Sequence, residues 1–138
     1  MAQRAEIGFP VNKLTLQGKV FTGEGNGKKY VSLPWVQQQI EQKLGFKPFL
    51  GTLNLRLTPE SATQRKHLEN AEALSICPAK NYCVGFLFKA RICKEACAII
   101  LPQVKDYPEN ELEIIAPTNL RVTLSLSDDD CVTVTVQV

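Results

Sequence analysis

The chain is poor in the residues that usually announce an active site. It holds one histidine, one tryptophan and one methionine in 138 residues. The lone histidine, His67, lies in a charged segment and is not suited to serve as a catalytic base, and zinc lacks the paired, closely spaced ligands it takes. No apolar run reaches the roughly 18 residues that a membrane helix needs. The opening residues Met1-Ala2-Gln3-Arg4-Ala5-Glu6 have no signal-peptide apolar core, so a soluble, cytoplasmic protein is expected. A Walker A sequence is missing, because no Gly-Lys-Ser/Thr occurs, and so is Gly-x-Gly-x-x-Gly. Any phosphate site must be of another type. The net charge of +2, with no clustered basic stripe, does not argue for nucleic acid. Five cysteines, an odd number with just Cys93 and Cys97 close together, are not a disulfide framework. They are expected to be reduced and packed as small hydrophobes, with a Cys93–Cys97 link conceivable if both share a turn.

What is present is a foldable chain. Hydrophobic residues make up 44% and charged residues 22%, enough for one domain spanning residues 1–138, with 1–13 as an N-terminal extension. Leu14 to Thr22 alternates as a strand. Tyr30 to Leu33 reads as a short strand or as the lead into a helix over Pro34 to Leu44, where Pro34 suits the first turn and Gly45 stops it. Thr52 to Leu57 is a strand, and Pro59 to Ala73 is a short helix or an exposed loop. Tyr82 to Ile92 and Glu95 to Leu101 read as a hairpin turning at Cys93-Lys94. Leu112 to Ala116 is a strand, Asn119 to Arg121 starts a helical turn, and Asp128-Asp129-Asp130 turns into the strand Cys131 to Val136. Six or more strands with one or two helices and no βαβ alternation point to a mainly β fold, a small β-barrel with inserted helices.

Three features can carry chemistry. In the turn-and-strand segment Gly45-Phe46-Lys47-Pro48-Phe49-Leu50-Gly51-Thr52-Leu53-Asn54-Leu55, alternation puts the Thr52 hydroxyl and the Asn54 amide oxygen on one face. Two neutral oxygens suit a hard cation such as Mg²⁺ when phosphates supply the remaining charge. Asn is depleted in strand interiors, so Asn54 between two leucines calls for a partner. The loop Gly23-Glu24-Gly25-Asn26-Gly27-Lys28 is either a plain hairpin turn or an anion nest of backbone N–H groups, with Lys28 or Lys29 adding charge. Glu113, opposite in facing to Leu112 and Ile114, either lies on the solvent side of an edge strand or points into a cavity, where it can bind a substrate hydroxyl or accept its proton. Arg121 can pair with a phosphate or with one of the acids of the Asp128–Asp130 turn.

Taken in order, Gly18-x-Val20, Thr22 to Gly27, Leu44-Gly45-Phe46-x-Pro48-Phe49-x-Gly51-Thr52-Leu53-Asn54 and Glu113-Ile114-Ile115-Ala116-Pro117-x-x-Leu120-Arg121 resemble the archaeal-type CTP-dependent riboflavin kinases. The resemblance runs from about Leu14 to Val136. It implies a six-stranded cradle-loop barrel that phosphorylates the ribityl 5′-hydroxyl of riboflavin, giving FMN and CDP. It implies that Gly23, Glu24, Gly25, Asn26, Gly27 and Lys28, with Thr118, Asn119, Leu120 and Arg121, surround the cytidine nucleotide. Thr52 and Asn54 become Mg²⁺ ligands, and Glu113 faces the flavin. Lys105 falls where the family has a flavin-contacting threonine, and Asp129 falls where it has a glycine in the late turn. Set against this enzyme is a non-catalytic barrel module that binds a flavin, a nucleotide, a nucleic acid or a protein, because fold does not fix function.

Overall fold

The chain's first described strand is set by simple alternation. In β1 (Lys13–Phe21), residues 14, 16, 18 and 20 are buried while 13, 15, 17 and 19 are exposed, the pattern of a strand with one face on a core. The computed structural model describes residues 13–79 and 83–137; the expected extension before residue 13 and the expected strand start at Tyr82 lie outside them. After β1 come α1 (Asn26–Val31), α2 (Pro34–Leu44), β2 (Leu53–Leu57), α3 (Pro59–Arg65) with a 3₁₀ turn at Lys66–Asn70, β3 (Leu74–Ile76), β4 (Gly85–Ile92), β5 (Glu95–Pro102), β6 (Glu111–Ile115), α4 (Leu120–Thr123) and β7 (Cys131–Gln137).

All pairings are antiparallel. The order β4-β5-β6-β2-β1-β7 closes on itself where Ala90 and Arg91 of β4 meet Val136 and Thr135 of β7, giving a six-stranded barrel. The other half of the same β4 edge, Gly85 to Leu87, pairs with β3 as a seventh strand. The mainly β barrel is as expected, and its helices number four rather than one or two among the described residues. Part of that excess comes from the glycine segment. It is not a hairpin turn, and Tyr30 and Val31 are not a strand: the chain passes through Gly25 in the left-handed region (φ 88°) and winds directly into α1.

Two cores explain the apolar runs. Leu16, Leu55, Ile99, Leu112, Ile114, Val134 and Val136 fill the barrel interior. Val31, Val36, Ile40, Leu87, Ala98, Ile100 and Ile115 form a second cluster between the α1–α2 segment and the barrel's outer face. Strand β5 is therefore buried on both sides, and Ile99 and Ile100 belong to different cores. Each fully buried aliphatic side chain contributes about 1.5–3 kcal/mol, so the helical cover is held by packing rather than by its own short helices. Polar contacts add direction. The Gln39 side chain donates to Cys77 O (2.7 Å) and accepts from Cys77 N (2.8 Å) just beyond β3, and Lys43 Nζ donates to Ser75 O. Helix α2 thus covers an edge that would otherwise be an open template for strand pairing.

The expectation of reduced cysteines needs correction. Cys77 and Cys83 form a disulfide, their Cα atoms 4.1 Å apart, because the antiparallel pairing of β3 with β4 brings the residue just past β3 close to one just before β4. Spacing alone does not reveal such a pair, since it depends on how the two strands meet. Cys93 and Cys97 are not linked. Cys93 is exposed in the β4–β5 turn, whereas Cys97 is buried in the barrel core, and Cys131 is exposed. Burial pushes the Cys97 thiol up to about 12, which keeps it protonated and unreactive. A thiol reagent at pH 8 should therefore modify Cys93 and Cys131 in the native protein and Cys97 only after denaturation; mass spectrometry of labelled peptides reads this, and native labelling of Cys97 would contradict the packing.

Candidate active site

The barrel interior is filled, so a ligand site has to lie outside it. Alternation supplies one. Leu53 and Leu55 of β2 and Leu112 and Ile114 of β6 point into the barrel core, which turns Asn54 and Glu113 to the outer face. The strand register then sets them side by side: Asn54 is paired with Phe21 on one flank and with Glu113 on the other, and Glu113 with Ile100 beyond. Strand β6 is flanked by β2 and β5, so Glu113 is not on the solvent side of an edge strand.

Thr52, just before β2, completes the group. Its Oγ1 is 3.4 Å from Asn54 Oδ1 and 3.4 Å from Glu113 Oε1. Glu113 Oε2 accepts a hydrogen bond from Tyr107 OH at 2.8 Å. The neutral oxygens of Thr52 and Asn54 are hard donors of the kind Mg²⁺ takes, and the Glu113 carboxylate stands beside them. Neighbouring octahedral ligands about 2.1 Å from such an ion are about 3 Å apart, and Thr52 Oγ1 and Asn54 Oδ1 are 3.4 Å apart. No group of three or more His, Cys, Asp or Glu side chains among the described residues could hold a metal by itself. The donor set therefore fits an ion shared with a phosphate ligand and water, not one caged by protein.

The glycine segment lies directly on these side chains. A Cβ on Gly23 would stand 2.7 Å from Asn54 Nδ2, and one on Gly27 would occupy the space of Glu113 Oε1 and Thr52 Oγ1. At Gly23 the end of the Asn54 side chain would have to turn aside, and at Gly27 both the Glu113 carboxyl and the branched Thr52 side chain would have to give way or the loop would have to shift. The first-turn N–H groups of α1, at Asn26, Gly27 and Lys28, have no carbonyl partner within the helix. Gly23 to Lys28, Thr52, Asn54, Lys105 and Glu113 all line one open cleft of about 1030 Å³. Lys29 is not among its lining residues.

Thr118, Asn119 and Leu120 line instead a smaller cavity of about 160 Å³ beside Phe49, Gly51 and Thr52, and Arg121 borders both. Asn119 spends its Oδ1 capping α4, accepting from Arg121 N at 3.1 Å and Val122 N at 3.4 Å. The Arg121 guanidinium is paired with an acid of the late turn. It donates to Asp128 Oδ1 (2.8 Å), Phe21 O (3.1 Å) and Thr22 Oγ1 (3.2 Å). The hydrogen bonds from Arg121 and then Thr22 hold the Asp128 carboxyl below the usual carboxylate range. Arg121 thus braces the end of β1 from which the glycine loop departs. In the late turn, Asp129 takes a positive φ of 72°, the conformation for which glycine is the easiest choice.

Some of the site escapes sequence reasoning. Arg56 lies two residues after Asn54 on the same strand face, with its guanidinium 4.1 Å from the centre of the Phe21 ring, and lines the cleft; its spacing from Asn54 was a usable signal. Tyr107 sits in the loop between β5 and β6, where no periodicity points to it.

Residues 20–136 match the model of a family described as "Domain of unknown function DUF120" and named CTP-dep_RFKase. The chain is similar to a riboflavin kinase of Pyrobaculum aerophilum, 38% identical over 91% of this chain and 62% of that protein. It is likewise similar to one of Archaeoglobus fulgidus, 38% identical over 89% of this chain and 54% of the relative. A third, from Ignicoccus hospitalis, is 35% identical over 89% of this chain and 71% of the relative. The chain spans less than two thirds of the length of the first two.

The close approach of the loop makes a direct prediction. Gly27→Ala should lift α1 from the strand face and speed amide hydrogen exchange in α1 more than tenfold while β4 and β5 keep their protection. Unchanged exchange in α1 would mean that the Thr52 and Glu113 side chains yield to the added methyl and that the glycine is not what seats the helix.

Proposed function

We propose that this chain, which belongs to the CTP-dep_RFKase family, transfers the γ-phosphoryl group of CTP to the ribityl 5′-hydroxyl of riboflavin, giving FMN and CDP. The observation that carries this reading is the convergence of three oxygen donors, Thr52, Asn54 and Glu113, beneath a glycine-rich helix start in one open cleft. The riboflavin part is supported by the name its relatives bear, and the CTP part by the name of the family model. Among the described residues, those that line the cleft come from the barrel and its cover, which supports placing the reaction on this part of the chain.

Phosphoryl transfer has a loose transition state, and the protein's part is positioning and offsetting charge. Thr52 and Asn54 would hold Mg²⁺, which when bound neutralises charge on the phosphates. Asn26, Gly27 and Lys28 at the start of α1 line the same cleft, and first-turn amides and a lysine ammonium suit phosphate oxygens. Thr118 to Arg121 and the small cavity beside them suit the cytidine end of the donor. Phe49, Leu50 and Val104 are 42%, 44% and 58% exposed and line the larger cleft, Phe49 bordering the small cavity as well. Large apolar side chains left open on the wall of one cleft suit a flat aromatic ring, and Lys105 stands beside Val104 in the same wall. With the flavin there, Glu113 orients the 5′-hydroxyl in line with the γ-phosphorus and accepts its proton late in the transfer.

The test is incubation of the purified chain with riboflavin, Mg²⁺ and either CTP or ATP, followed by chromatography for FMN. FMN should form with CTP at least tenfold faster than with ATP. Thr52→Ala and Asn54→Ala should each lower turnover about 100-fold or more with folding intact, and Glu113→Gln should lower it strongly. No product with either nucleotide and no flavin binding would end this reading. Near-native turnover in both Thr52→Ala and Asn54→Ala would sink the metal assignment alone.

A further inference from the structure

The wall formed by residues 103–110 sends one side chain down to the reacting centre. Tyr107 OH donates to Glu113 Oε2 at 2.8 Å, while Glu113 Oε1 faces Thr52 Oγ1 at 3.4 Å. The two carboxylate oxygens are thereby given different surroundings. A glutamate's terminal torsion is broad, so without such a bond either oxygen could face the substrate. A hydrogen bond to an ionised carboxylate is about twice as strong as a neutral one and fixes direction as well as distance.

The donor itself is held from behind. The Arg65 guanidinium carbon lies 5.6 Å from the centre of the Tyr107 ring, within cation–π range. Arg65 Nη1 also donates to Glu109 O at 2.9 Å. Leu57 N donates to Asn110 O at 2.6 Å, so the loop is tied to β2 and α3 just past the tyrosine. Burial first, and then the neighbouring Glu113 charge, raise the Tyr107 phenol well above its ordinary range, which keeps it a neutral O–H donor.

We propose that Tyr107 is a positioning residue for phosphoryl transfer: it occupies Oε2 of Glu113 and so leaves Oε1, beside Thr52 and Asn54, as the oxygen that receives the substrate hydroxyl. This rests on the reading that Glu113 faces the accepting hydroxyl. A tyrosine that merely anchored the loop would act through the shape of the wall instead, whatever residue stood at 113.

Tyr107→Phe separates the two roles, because it keeps the ring and its contact with Arg65 and removes only the O–H. In the otherwise native chain it should lower kcat for FMN formation about tenfold, the loss of roughly one charge-assisted hydrogen bond, with KM for CTP within twofold. In a Glu113→Ala background the same change should alter the residual rate by less than twofold. The same cycle read as riboflavin affinity, through flavin fluorescence, should show a loss in the native background and none in Glu113→Ala. Native kcat in Tyr107→Phe, or equal losses in both backgrounds, would overturn the proposal alone. Native turnover in Glu113→Ala would overturn the reading of Glu113 and the proposal with it.

Discussion

The site depends on one steric constraint, the missing side chain at Gly27. The start of α1 approaches the barrel so closely that a single Cβ there would occupy the place of Glu113 Oε1 and Thr52 Oγ1. Gly23 repeats the constraint over Asn54. The loop and the polar row on the strands are therefore one assembly: the loop's amides share a cleft with the oxygen donors because nothing stands between their backbones. The constraint acts through geometry rather than through a strong bond, since the polar contacts among Thr52, Asn54 and Glu113 are 3.4 Å long.

That assembly is possible because the barrel keeps its chemistry outside. Its interior is packed with aliphatic side chains, and β5 and β6 carry a second apolar layer on their outer face, where Ile100 and Ile115 meet α1 and α2. The polar row Asn54–Glu113 continues into Ile100 along the same register. Cleft-facing oxygens and buried cover residues thus share one sheet face, divided by where the helical cover ends. A one-residue slip in the β2–β6 register would send Glu113 into the barrel core. The apolar alternation that specifies the fold consequently aims the site as well.

Much of this was legible in the sequence. Alternation around Leu53, Asn54 and Leu55 and around Leu112, Glu113 and Ile114 told which side chains oppose the core, and Pro34 and Gly45 bounded α2 to the residue. Whether Glu113 met solvent or a cavity could not be read, because that depends on long-range pairing of β6 with both β2 and β5. Three glycines in a row of six residues suggested a turn or a nest; that they open a helix follows from packing of Val31 into the outer core. The Cys77–Cys83 bond and Tyr107 were hidden for a related reason. Each is defined by where a loop lands, and loops carry no period. Lys105 lines the cleft, while Arg121 is bonded to Asp128 and to the end of β1.

The central claim is that Thr52 and Asn54 present ligand oxygens to the metal that the reaction uses. The most direct measurement is a change of metal preference in Thr52→Cys, which replaces a hard oxygen with a soft sulfur. FMN formation by this variant should fall at least 100-fold with Mg²⁺ and recover at least tenfold with Cd²⁺, whereas the native chain should prefer Mg²⁺. Native turnover of Thr52→Cys with Mg²⁺, or no recovery with Cd²⁺, would contradict the account.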